Sequence, residues 1–137
     1  MLAISTRTLF LNAGLANFAI VPVSLFFTNE AITREDPFFD AKGCALIVLW
    51  GVVYIATSGV AETSPLLCLA FTLEKAIYVI HYLRTASVHR RRALAGKATL
   101  RRTLAALFFA TYGVADALFG VGFAVTGWRA LMRGASV

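Results

Sequence analysis

In the stretch FTLEKAIYVIHYLR, residues 71–84, an acid, a base, a phenol and an imidazole stand among apolar side chains as Glu74, Lys75, Tyr78 and His81. At 100° per residue, Glu74, Tyr78 and His81 share one helical stripe, and Lys75 falls off it. Two chemistries fit that stripe. Either it is a short proton path, or Tyr78 satisfies the Glu74 carboxylate while His81 meets the polar zone at a helix end. A further acid, Asp116, lies in the last apolar stretch with Tyr112 one turn away and placed to donate to it. A charge in the middle of a lipid bilayer costs from about 2.5 kcal/mol on insertion scales to more than ~10 in simulations, so such groups should turn inward and pair. Opposite signs couple Lys75 with Asp116.

The elements that carry these residues are read from composition. The chain has 137 residues, 59% hydrophobic and 15% charged, with a mean hydropathy of +0.76. Soluble domains average about 45–50% apolar and about 25% charged, so lipid is the expected solvent. Four apolar spans, 9–27, 44–60, 65–83 and 105–127, each approach the ~17–25 residues that cross a hydrocarbon core as helix. The expected fold is all-α: a single domain, 1–137, forming an integral membrane bundle of four transmembrane helices. Barrel strands would alternate polar and apolar residues, and these spans do not. Span one also has the outline of a signal peptide, but Asn12 and Asn17 make a poor apolar core, and an uncleaved span is the preferred reading. Pro22 should kink it and free the Phe18 carbonyl. Ser64 before Pro65 reads as a cap, and the short turn makes spans two and three an antiparallel hairpin.

Threading the spans in alternating directions brings Asn17, Tyr54, Glu74 with Lys75, and Asp116 to similar depth, one polar contribution per helix. Polar residues in small bundles also simply lock helices together, and that reading stands beside a functional one. Ala106, Ala110, Gly113, Ala117, Gly120 and Ala124 draw a small-residue seam down span four that would let its neighbours approach.

The net charge is +6, and seven of thirteen Lys and Arg fall between Arg84 and Arg102. That cluster, Arg84, Arg90, Arg91, Arg92, Lys97, Arg101 and Arg102, adjoins a span, which suits anionic lipid headgroups or an acidic partner rather than nucleic acid. Counting basic residues on alternate sides places loops 28–42 and 84–102 in the cytoplasm if the host is a plasma (inner) membrane. Phe26, Phe27, Phe38, Phe39 and Trp128 are expected as interfacial anchors. His89, in the run HRRR, is expected in solvent, on no helix shared with His81 at metal-ligand spacing. Cys44 and Cys68 fall at opposite ends of the bundle, too far apart for a disulfide. No CxxC, HExxH, phosphate loop or nucleophile elbow occurs, so no catalytic residue and no metal site is assigned, and the cofactor is left unknown.

The stretch YIATSGVAETSPLLCLAFTLEKAIYVIHYL, residues 54–83, resembles the middle of the small bacterial DoxX-like four-helix membrane proteins: an aromatic near the end of span two, a short polar turn and a third span with a central lysine. The resemblance implies a compact four-helix bundle, with some relatives attached to quinone or thiol redox systems. It carries over Lys75 alone. Glu74 and the acidic first loop depart from the pattern. The expected role is a non-catalytic accessory subunit or small binding module of a larger membrane assembly or homo-oligomer. The alternative is a proton-coupled carrier or a protein binding a small hydrophobic ligand such as a quinone, using Glu74, Lys75 and Asp116.

Overall fold

The computed structural model describes residues 5–95 and 97–134, the Arg90 and Ala93 side chains excepted. It is all-helical, with no strand among the described residues: α1 (Thr6–Phe18), α2 (Ile20–Val23), α3 (Glu30–Glu35), α4 (Ala41–Thr57), α5 (Pro65–Leu94) and α6 (Leu100–Gly134), with 3-10 turns at Pro37–Phe39 and Ala61–Thr63. Of these, α5 and α6 are long and apolar enough to cross a membrane, and α4 is a shorter apolar helix of 17 residues.

The first span is not one continuous kinked helix. It divides at Ala19, whose N–H bonds back to Ala16 and Asn17, and it ends at Val23 rather than at residue 27. Pro22 cannot donate to Phe18, so the ladder is already weakened where the division falls. Beyond it, Leu25, Phe26 and Phe27 adopt φ of 51°, 55° and 68°. Three consecutive left-handed residues without glycine are costly, and they reverse the chain within a few residues.

The third span runs eleven residues past its expected end at Leu83, to Leu94. Arg84, Arg91 and Arg92 therefore lie on helix α5 rather than in a loop, because Arg, Ala and Leu continue a helix well after the apolar run stops. Segment 28–42 is likewise no plain loop. Asn29 caps α3, Asp36 caps the 3-10 turn and Asp40 caps α4, each accepting a backbone N–H. The segment also inserts Ile32 and Phe39 into the core. Ser64 takes the cap position of α5 ahead of Pro65, but its hydroxyl makes no capping bond.

Two antiparallel pairs organise the chain. In the first, Gly14 of α1 and Gly51 of α4 meet so closely that a Cβ on Gly14 would come within 2.7 Å of the Gly51 carbonyl. In the second, Gly113, Gly120 and Gly127 of α6 lie against Tyr82, Lys75 and Cys68 of α5, and Tyr82 reaches over Gly113 to donate to the Ala110 carbonyl at 3.1 Å. The working seam is thus this glycine series spaced by seven, whereas Ala124 of the expected seam is exposed. The pairs face each other through side chains. Phe10, Tyr54, Phe71 and Phe123 interlock at one end, and Ile20, Ile32, Phe39 and Phe109 pack at the other.

The outer surface inverts the soluble pattern. Leu66, Leu69, Leu73, Ile77, Ile80 and Leu83 line one exposed face of α5, with Leu66 at 77% exposure, while Lys75 on the same helix is 2% exposed. Soluble monomers rarely present so continuous an apolar face.

A buried acid–base cluster and its cavity

Between the two apolar ends, α1 delivers Asn17, α4 Tyr54, α5 both Glu74 and Lys75, and α6 Asp116. Lys75 Nζ donates to Asp116 Oδ1 at 2.6 Å and to Asn17 Oδ1 at 3.1 Å, and lies 3.8 Å from Glu74 Oε2. The Asn17 amide in turn donates to the Ile47 carbonyl at 3.0 Å, which fixes which way its oxygen points. The Tyr54 hydroxyl donates to Glu74 Oε2. The Lys75 ammonium also stands over the rings of Tyr54 and Tyr78, 5.2 and 5.9 Å from their centroids. Gly120 makes this possible, because a Cβ there would sit 3.1 Å from Lys75 Cβ.

The expected coupling of Lys75 with Asp116 is present, and Asn17, Tyr54 and Glu74 join it. Other assignments are corrected. Glu74 is satisfied from α4 by Tyr54, not by Tyr78 on its own stripe. Tyr112 does not donate to Asp116; its buried hydroxyl has no hydrogen-bond partner among the described residues. Cys44 and Cys68 are both free and buried, as their expected separation required.

His81 stays on the face of Tyr78, both packing on Phe38 and Phe39, but its polar partner is Asp36. Its Nε2 meets Asp36 Oδ2 at 2.5 Å, and its ring stacks on Phe38 with centroids 4.6 Å apart. His89 shares helix α5 with it and is largely buried rather than solvated, with Nε2 3.5 Å from the same Asp36 oxygen and its ring 5.1 Å from Phe109. Asp36 and His89 are the polar residues that sequence reasoning missed. The signal for Asp36 was its place before Pro37, where a capping carboxylate belongs. Phe39, expected as an interfacial anchor, is 1% exposed and packs edge-on to Phe108 at 4.7 Å. Among the described residues no group of three or more His, Cys, Asp or Glu side chains is arranged to hold a metal ion.

No family model, curated protein or solved structure matches the chain.

The cluster opens onto a cavity of about 370 Å³. Phe10 and Leu9 hold α1 against Phe123 and Gly122 of α6. Farther along, the two elements are separated by the cavity, whose walls are Ala16, Ile20, Val23, Phe39, Leu107, Phe108, Tyr112 and Phe119 and whose polar side is Asn17, Glu74, Lys75 and Asp116. Its mouth is framed by exposed residues of both elements, Ala16 and Ala19 on one side and Leu107 and Thr111 on the other. No described side chain of the basic cluster lines it. Arg84, Arg91, Arg92, Lys97, Arg101 and Arg102 are exposed, with Arg101 donating to the Thr28 carbonyl at 2.9 Å; the Arg90 side chain lies outside the described residues.

Proposed function

We propose that the chain crosses a membrane as a bundle of four helices, α1 with α2, α4, α5 and α6, and serves as a non-catalytic binding module for a small hydrophobic ligand. The observation that carries this reading is the apolar-walled cavity with one polar side. Its volume lies within the ~300–1,000 Å³ range of small-molecule sites, and its polar groups are few and converge. The exposed apolar faces of α4, α5 and α6 support lipid as the surroundings. Segments 28–42 and 84–102, the latter including the last turns of α5, are assigned to the cytoplasm of a plasma membrane on the basic-residue count, with the arginine cluster resting on anionic headgroups.

Binding is tested with the neutral fluorophore 1-aminoanthracene added to the protein in nanodiscs. Ala115→Phe fills the cavity wall and should abolish saturable binding, whereas Leu118→Phe, on the exposed face of α6, should leave it unchanged. Equal binding by both variants refutes the assignment.

A second reading, an accessory subunit of a larger membrane assembly, is supported by an apolar groove of about 300 Å³ between α5 and α6, lined by Leu66, Leu69, Gly127 and Trp128. Purification from native membranes in mild detergent should then recover a stoichiometric companion, and recovery of the chain alone counts against it.

A further inference from the structure

Charge counting in the cluster narrows the ligand class. Two carboxylates, Glu74 and Asp116, face one ammonium, Lys75, and no other cationic side chain among the described residues lines the cavity. Lys75 already donates to Asp116 and Asn17. An anionic headgroup would therefore enter against the surplus negative charge of the two carboxylates, and a neutral carbonyl, even accepting the third lysine N–H, would leave that charge unmet. One negative charge in the cluster is left over, and in a dry site it must be met by a proton or by a second cation.

The walls favour the cation. Phe108, Tyr112, Phe119 and Tyr78 line the same space, and aromatic faces attract ammonium groups most strongly where water is excluded. The mouth lies between helices that present apolar side chains outward, so a ligand arriving from the hydrocarbon enters sideways without crossing water.

We propose that the cavity takes a small lipophilic cation, an alkyl or aryl ammonium, which enters from the bilayer and replaces one proton held between Glu74 and Asp116. The exchange balances: one positive charge enters, one proton leaves, and no bond other than that O–H is broken. The titratable groups lining the cavity are Glu74, Lys75 and Tyr78 from α5 and Tyr112 and Asp116 from α6, with Tyr54 of α4 bonded to Glu74 behind them. The inference rests on the ligand-binding reading above.

The test compares benzyltrimethylammonium with its uncharged isostere neopentylbenzene, by calorimetry on the protein in nanodiscs, with proton release followed by an indicator dye in weak buffer. The expected result is saturable binding of the ammonium with about one proton released per cation, and binding of the isostere about tenfold weaker or worse, as expected for loss of the charge and of its attraction to the aromatic faces. Glu74→Gln keeps an oxygen for Tyr54 and should weaken the ammonium at least about tenfold and abolish the proton release. Thr111→Trp, at the mouth, where the native hydroxyl bonds only the Leu107 carbonyl, should slow association of the ammonium without changing the proton count. Equal affinity for the two compounds, or ammonium binding unaffected by Glu74→Gln, overturns the proposal. If 1-aminoanthracene binds and neither test compound does, the cation class fails and the cavity reading stands; if the fluorophore fails as well, both fall.

Discussion

Replacing Lys75 with methionine conserves most of the side-chain volume and removes the cation on which the cluster converges. The lost contacts are the bonds to Asp116 at 2.6 Å and to Asn17 at 3.1 Å, together with the approach to Glu74 at 3.8 Å. Bonds to a charged group contribute about 1.5–3 kcal/mol each, and removing one partner of a buried pair costs about 3–5 kcal/mol because the other charge is left uncompensated. Lys75→Met should therefore destabilise the protein by about 3–5 kcal/mol, measured by denaturant titration in mild detergent. The second half of the test is Lys75→Met with Asp116→Leu. Removing both charges leaves Glu74 bonded to Tyr54, so the double variant should recover at least about 2 kcal/mol relative to the sum of the single changes. A loss under about 1 kcal/mol for Lys75→Met, or strict additivity in the double variant, would refute the claim that a dry ion pair organises the centre of the molecule.

Three further outcomes are expected. Asp36→Asn should weaken the hold of segment 28–42 on α5, because the carboxylate meets both His81 and His89; hydrogen exchange at 30–40 should quicken by about tenfold or more, and unchanged exchange sinks this account. Phe26→Gly relieves a left-handed residue whose side chain is 75% exposed, and should stabilise the protein by up to about 1 kcal/mol. A loss of stability in lipid, but not in detergent, would instead show Phe26 acting as an interfacial anchor. Cysteines introduced at Glu35 and at Lys97 should react with a membrane-impermeant maleimide in inverted vesicles and not in intact cells, with Cys44 and Cys68 silent because both are buried; labelling of the two sites from opposite sides would contradict the proposed four-span topology.

The centre of the site was legible in the sequence because burial of charge leaves few choices. Lys75 and Asp116 carry opposite signs at matching depth on neighbouring spans, and the structure joins them. Asn17 and Tyr54 follow from the same depth argument, although which carboxylate Tyr54 serves depends on side-chain direction, which spacing alone does not supply. The ends were less legible. Hydropathy marks where an apolar run stops, not where a helix stops, so α5 continues through Arg84, Arg91 and Arg92 unannounced. Segment 28–42 is too short for a periodic pattern, and its buried residues, Ile32 and Phe39, are flanked by charge. Its three capping side chains, Asn29, Asp36 and Asp40, were the readable signs of local structure. His89 was misplaced because its neighbours in sequence are arginines, whereas its neighbours in space are Asp36 and Phe109.

The unequal helices have a consequence for the surrounding bilayer. At ~1.5 Å per residue, α1 and α2 together reach only about 27 Å, while α5 and α6 reach about 45 and 52 Å. Only the apolar part of each has to match a hydrocarbon layer of ~30 Å, and at ~1.5 Å per residue that part is about 22 Å for 9–23, about 28 Å for 65–83 and about 34 Å for 105–127, so one thickness does not suit all sides, and each ångström of mismatch costs a fraction of a kcal/mol. The annulus should be pinched beside the first helix and relaxed elsewhere, so the protein should partition toward thin or highly curved regions. Quenching of Trp50 and Trp128 by brominated lipids of graded chain length reads this directly: enrichment of short chains is expected, and indifference to chain length would mean that the long helices tilt enough to absorb the difference.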